Sequence, residues 1–288
     1  MTIIKLQGGL GNQMFQYAAA KSIAKESVVY FDISFFISNQ ESTDTFTARQ
    51  FELSIFKNLR GHILSSYKSD ILNSNNLINK FLKRAFFRDV NYIHQSEKNE
   101  NIDLDNITNS TVYLDGYFQN ENYFKAIRKQ LLNDFSFPQP SDSNKNIEYE
   151  IKTADNTVGV HIRRGDYIKP HINNYHGLLP LSYYQQATKE IEKRIVNPRY
   201  FIFSDDPDWC KTAFTFLGDT YQIVSRPITN SWEDMYLMSL CKHNIIANSS
   251  YSWWGAWLNN NKDKIVIAPR NWFVAHDPGI VPSQWIKI

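Results

Sequence analysis

A chain of 288 residues, 42% of them hydrophobic and 21% charged, has the make-up of a globular protein, and its length suits two domains better than one. A net charge of +2 is too small to point to nucleic acid; it fits a phosphate-bearing small ligand or weak contact with an anionic membrane surface. Cys210 and Cys241 are the only cysteines and make no disulfide framework. No apolar run, the opening Met1–Gly9 segment included, has the length of a signal peptide or membrane span, so a cytoplasmic protein is expected, at most touching the inner face of a membrane.

The chain opens as strand, turn, helix, strand. Thr2 to Leu6 is apolar and β-branched, Gln7 to Asn12 is a glycine turn, Met14 to Ala24 has helical apolar spacing, and Ser27 to Phe31 forms a second strand. Residues 33 to 110 carry few signals beyond a basic amphipathic stretch near Leu77 to Phe87. A strand at Thr111 to Leu114 and a helix from Asn120 to Phe135 follow, then a Pro/Ser/Asn-rich linker from Phe137 to Asn146. This places one domain at 1–146 and a second at 147–288.

The second half alternates strands and helices. Strands are expected at Thr157 to Ile162, Tyr200 to Phe203, Tyr221 to Val224, Asn244 to Ala247 and Lys264 to Ile267. Helices lie between them: Ser182 to Ile195, opened by a Ser182/Gln185 capping box, Asp208 to Leu217, Ser231 to Lys242 and Tyr251 to Asn259. Nearly all-apolar strands alternating with helices indicate parallel sheets covered on both faces. The expected fold class is therefore α/β: two open domains facing each other across a cleft, with ligands beyond the strands' carboxyl ends.

Four motifs fall at such ends. His161-Ile-Arg-Arg-Gly-Asp166 follows the strand ending at Ile162; Arg163 and Arg164 offer permanent charge and bidentate donors to a diphosphate, while His161 can meet a base or ribose and Asp166 can brace an arginine or move a proton. A structural Arg–Asp pair closing the turn is the plain alternative. Gly8-Gly9-Leu10-Gly11-Asn12-Gln13 lets backbone approach an anion at a helix N-terminus. It also invites a dinucleotide reading through Asp32, although Met14 stands where a third glycine should be. In Phe203-Ser-Asp-Asp-Pro-Asp208, Asp206-Pro-Asp208 has the D-x-D look of a metal site, but Asp206 as helix cap before Pro207 is the better reading, which leaves Ser204 and Asp205 for a base or ribose. Asn248-Ser249-Ser250, opening a helix that carries Trp253, Trp254 and Trp257, forms a second anion seat; the tryptophans are expected in the core. No convincing metal site emerges.

Taken in this order, Gly-Gly-Leu-Gly-Asn-Gln-Met, His-Ile-Arg-Arg-Gly-Asp, Phe-Ser-Asp-Asp and Asn-Ser-Ser-Tyr-Ser-Trp-Trp resemble the motifs of the bacterial α-1,2-fucosyltransferases, an inverting, GDP-fucose-dependent glycosyltransferase family. The resemblance runs from Gly8 to Trp254 and implies a GT-B-like fold of two Rossmann-like domains, an N-terminal acceptor-side domain and a C-terminal GDP-fucose-binding one. It implies metal-independent transfer of L-fucose to the 2-hydroxyl of a terminal β-galactoside with no cofactor, the acceptor belonging to a surface polysaccharide such as an O-antigen or to a lipid-linked oligosaccharide; no nucleic-acid partner is expected.

The resemblance also implies roles. Arg163 meets the β-phosphate, His161 and Asp205 the nucleoside, and Ser249 and Ser250 the phosphates, while Gly9, Gly11 and Asn12 close over the donor from the first domain; the residues themselves add Arg164 as a brace and Ser204 and Asn248 as further donor-binding candidates. Asp166 and His176 are the candidates, with Arg163, for the catalytic set, alongside His171 and the segment Asp115-Gly-Tyr117. Rival expectations are a fucosyltransferase of another linkage such as α-1,6, a nicotinamide-dependent oxidoreductase built on the glycine turn and Asp32, and a non-catalytic sugar-binding module suggested by the 15% aromatic content.

Overall fold

The structure, a computed structural model, describes residues 1–43, 46–74, 76–87, 89–96, 102–104, 107, 109–225, 230–274 and 279–288. The chain divides into two compact units, Met1–Ser136 and Phe137–Ile288.

The first unit is built on β1 (Thr2–Lys5), β2 (Val29–Asp32), β3 (Gly61–Ile63), β4 (Val90–His94) and β5 (Thr111–Asp115), in the order β3-β2-β1-β5-β4 with parallel pairings throughout. Between β1 and β2 runs the helix Leu10–Ala24, most of whose length is buried. The sequence left β3 and β4 unread because both are half-exposed edge strands without a continuous apolar run. The helix expected from Asn120 to Phe135 is instead two 3-10 turns and the short helix Arg128–Asp134.

The second unit carries β6 (Thr157–Ile162), β7 (Arg199–Ser204), β8 (Tyr221–Ile223), β9 (His243–Ile245), β10 (Val266–Ala268) and β11 (Ile286–Lys287), in the order β11-β10-β9-β6-β7-β8, again parallel. All six residues of β6 are buried, because the strand is covered on both faces. Val158, Val160 and Ile162 pack with Tyr184, Ala187 and Ile191 of the helix Leu181–Glu192, while Phe201 and Phe203 of β7 pack with Leu237 and Met238 of the helix Ser231–Leu240. The helix Leu181–Glu192 starts after Pro180 with no side-chain cap, so the expected Ser182 capping box does not form.

The Pro/Ser/Asn run read as a linker begins where the second unit begins, but its second half is helical, Asp142–Thr153. Ile147 and Ile151, four residues apart, reach the core beside Phe201 and Phe203. The start of this helix is tied to buried Glu233, whose carboxylate accepts from the Ser141 backbone N–H (3.1 Å), Ser141 Oγ (2.7 Å) and Asn144 Nδ2 (2.7 Å).

In each sheet the chain order reverses beside the central strand: β1 lies between β2 and β5, and β6 between β7 and β9. The crevice at such a reversal is where ligands of open parallel sheets bind. The glycine turn follows β1, and the paired arginines follow β6.

Candidate functional site

Arg163 leaves the end of β6, which hydrogen-bonding to β7 and β9 on both sides holds rigid. Its guanidinium is clamped twice, Nη2 to Asp166 Oδ1 at 2.6 Å and Nη1 to Asp205 Oδ2 at 2.7 Å. The Tyr167 ring lies 5.6 Å from it. Burial works against the charge on this side chain, but Asp205 and Asp166 outweigh it and hold its pKa above the ordinary value. The two bonds use two of five N–H donors, and the side chain stays about a quarter exposed.

Alternation at the strand end sends the next arginine elsewhere. Arg164 Nε donates to Asp206 Oδ2 at 3.0 Å, and the guanidinium lies 4.1 Å from the Trp209 ring centroid. Its backbone N–H donates to Asp205 Oδ1 (2.8 Å), so one carboxylate grips both the Arg163 side chain and the Arg164 main chain. Gly165 makes that grip feasible: a Cβ there would come within 2.7 Å of Asp205 Oδ2.

Asp206 caps the helix Pro207–Ala213 as expected, accepting from the Trp209 N–H at 3.2 Å with Pro207 at the first position. Asp208 pairs with Lys211 at 2.7 Å, so the D-x-D carboxylates serve a cap and a surface pair rather than facing each other as ligands. Ser204 Oγ accepts from the Asp206 N–H (2.9 Å) and the Ser204 N–H donates to Ser225 Oγ (2.8 Å), which fixes the turn that presents Asp205.

His161 is buried, and its Nδ1 has no hydrogen-bond partner among the described residues. Burial pushes its pKa down to about 3, so the ring is neutral at physiological pH. Its ring lies 5.5 Å from Tyr251, on the helix Ser250–Leu258. At the start of that helix Asn248 is nearly inaccessible; its Nδ2 donates to the carbonyls of His176 (2.6 Å) and Gly177 (3.0 Å). Tyr167 Oη donates to the Asn248 carbonyl at 3.1 Å and stacks on His176 with ring centroids 4.8 Å apart. Burial pushes the His176 pKa down to about 4, against the pull of Asp166. Ser249 and Ser250 stand half-exposed at the helix start, and no side-chain cap bond is made there. Trp253, Trp254 and Trp257 lie in the core as expected.

The second unit thus brings Arg163, Asp166, Asp205, His176 and Asn248 into one contact network. Tyr167 is its hub and carried no sequence signal, because its contacts to Asn248 and His176 are made by tertiary packing. Two arginines face three aspartates, so the site carries no net positive charge. What the site offers a ligand is directed N–H groups rather than a positive field.

In the first unit the glycine turn is closely packed by its own side chains. Gly8 has φ +75°, and a Cβ would strike Asn12 Nδ2 at 2.4 Å. Asn12 Oδ1 accepts from Gln119 Nε2 (2.8 Å). The Leu10 N–H, in the first turn of the helix, donates to Glu52 Oε2 at 2.9 Å, so a protein carboxylate meets one amide of the seat where Gly9 and Gly11 were read as receiving an anion. Asp32, the ribose acid of the dinucleotide reading, is wholly buried. It accepts from Ser69 Oγ (2.6 Å), Tyr113 Oη (2.6 Å), Asn73 Nδ2 (2.9 Å) and the Ser34 N–H (2.9 Å), which leaves it a structural role.

Paired arginines thus stand at the end of β6, where strand order reverses in a parallel sheet and ligands of such sheets bind. Residues 1–286 match the family described as Glycosyl transferase family 11, and the chain belongs to it. Among its relatives, the O-antigen biosynthesis glycosyltransferase WbnK of Escherichia coli is 34% identical over 98% of this chain and 99% of its own length. An alpha-1,2-colitosyltransferase of Escherichia coli is 33% identical over 100% of this chain and 99% of its own. Human galactoside alpha-(1,2)-fucosyltransferase 1 is 31% identical over 35% of this chain and 28% of its own. Among the described residues, no helix is long and apolar enough to cross a membrane.

Proposed function

We propose that this protein transfers L-fucose, with inversion, from GDP-fucose to the 2-hydroxyl of a terminal β-galactoside. The observation that carries the reading is Arg163, fixed by Asp166 and Asp205 at the carboxyl end of β6 with donors to spare. As the bond from fucose C1 to the β-phosphate oxygen breaks, charge builds on GDP, and a preorganised guanidinium meets it without reorganisation. The bond from the acceptor O2 to C1 forms on the opposite face, and the hydroxyl proton passes to a base or to water. Arg164 braces the turn, Ser204 and Asp205 with His161 face the nucleoside, and Ser249 and Ser250, positioned by buried Asn248, seat the phosphates.

Asp166 and His176 are the candidates for the proton. Asp166 is engaged by Arg163, and a His176 pKa near 4 makes a weak base, so the hydroxyl is deprotonated late, as an oxocarbenium-like transition state allows. A pH–rate profile that loses its acidic limb in only one of Asp166→Asn and His176→Gln assigns the role.

The colitosyltransferase relative supports a second donor reading, a 3-deoxy sugar in place of fucose. The test is incubation with GDP-fucose and with GDP-colitose, each with a panel of β-galactosides, followed by linkage analysis of the product. An α-1,2-fucosylated galactoside supports the proposal; transfer of colitose alone, or a 1,6 linkage, refutes it.

A further inference from the structure

The helix Leu77–Phe86 is turned inside out relative to a core helix. Leu77, Ile78 and Phe81 are 83%, 71% and 73% exposed, and no residue of the helix is fully buried. At about 100° per residue these three and Ala85 fall on one arc of the helix, with Lys80 and Arg84 along its flank. The helix holds three basic residues, Lys80, Lys83 and Arg84, and no acidic one.

The helix is nonetheless anchored. Leu82 packs against the cluster of Ile71, Leu72 and Phe87; Asn76 Oδ1 caps the first turn through the Asn79 N–H at 2.7 Å; and Lys83 Nζ lies 5.3 Å from the Tyr92 ring centroid. Its far end continues into Phe86, which meets the half-exposed Tyr67 edge-on at 5.3 Å. An apolar arc held outward by a helix fixed on its other side is a display surface, and its extent exceeds scattered surface apolar residues.

We propose that this helix docks the protein on an anionic lipid surface. Leu77, Ile78 and Phe81 enter the boundary between headgroups and acyl chains, while Lys80 and Arg84 reach the headgroup phosphates. Charge decides for lipid over a second copy of the chain: two such helices face to face oppose the same basic flank, with no acid on either to answer it. The exposed acids nearby belong to neighbouring elements, Asp70 to the preceding helix and Asp89 beyond the end, where it accepts from Asn109 Nδ2 at 3.0 Å. Lipid binding is measured without nucleotide, so its failure and failure of the donor reading are separate results.

The experiment is co-sedimentation of the full chain with vesicles of phosphatidylcholine alone and of phosphatidylcholine with phosphatidylglycerol, at low and high salt. The wild type is expected to bind the anionic vesicles, and less at high salt. Each flanking charge near such a surface is worth about 1 kcal/mol, or about fivefold, so Lys80→Ser with Arg84→Ser weakens partitioning by about 25-fold. Leu77→Ser, Ile78→Ser and Phe81→Ser together weaken it by at least about tenfold with the melting temperature unchanged, since nothing buried is removed. Equal binding of wild type and both variants overturns the proposal, as does failure of the wild type to bind the anionic vesicles. A wild-type dimer by light scattering that the triple variant turns into a monomer overturns it in favour of self-association.

Discussion

Arg163 is held from three sides, by Asp166, Asp205 and the Tyr167 ring. Asp166 and Asp205 keep it charged and fix its plane, so a compact ammonium is no substitute for the fork. Arg163→Ala is expected to lower turnover about 100-fold or more with the fold retained, corresponding to about 3 kcal/mol of transition-state stabilisation. Arg163→Lys should recover only a small part of that loss, since a lysine cannot hold both aspartates and a phosphate. The two imidazoles make a prediction about pH. His161 and His176 have pKa values pushed by burial to about 3 and about 4, below the ordinary 6.5. Below pH 6.5 the unfolded chain takes up protons that the native state refuses, so the stability these rings contribute is complete above 6.5 and drains away towards pH 4 and then 3. Thermal melts should show a falling midpoint between pH 7 and pH 5, with a shallower slope in His176→Gln; an identical slope removes His176 from the account.

At the scale of elements, the second unit depends on how its helices are tied together. Glu233 is buried in the first turn of the helix Ser231–Leu240, yet its carboxylate holds the N-terminus of the helix Asp142–Thr153. Glu233→Ala leaves those donors unanswered and should cost about 2–3 kcal/mol, read as a lowered denaturation midpoint with an unchanged slope. A change below about 0.5 kcal/mol would mean that water replaces the carboxylate without loss. The strands of this unit were legible because burial on both faces makes them continuous apolar runs, β6 above all. The helix Asp142–Thr153 was not, because its polar sequence hides two core residues, Ile147 and Ile151, and its partner Glu233 lies 92 residues from Ser141. The same holds for the site. The strand-end arginines and the Asp206 cap could be read from local spacing, whereas the Asp205 clamp on Arg163 and the Glu52 carboxylate at Leu10 are made by tertiary contacts that spacing does not encode.

Across the whole molecule, two parallel sheets each present a motif at the reversal of strand order, and the chain's membership of Glycosyl transferase family 11 spans both. The carboxylates that look most like a metal pair are committed, Asp206 to a helix cap and Arg164, Asp208 to Lys211. Under the proposed function leaving-group charge falls to Arg163, and turnover should stay within about twofold on addition of EDTA, a tenfold loss being the contrary outcome. Under the proposed function Arg163 grips the β-phosphate of guanosine diphosphate. This grip is tested most directly by calorimetric titration of GDP and GMP into wild type and Arg163→Ala. Wild type should bind GDP at least about tenfold more tightly than GMP, one charge-assisted contact being worth about 1.5–3 kcal/mol, and the variant should lose that preference. A GDP preference that survives intact in Arg163→Ala would contradict the account.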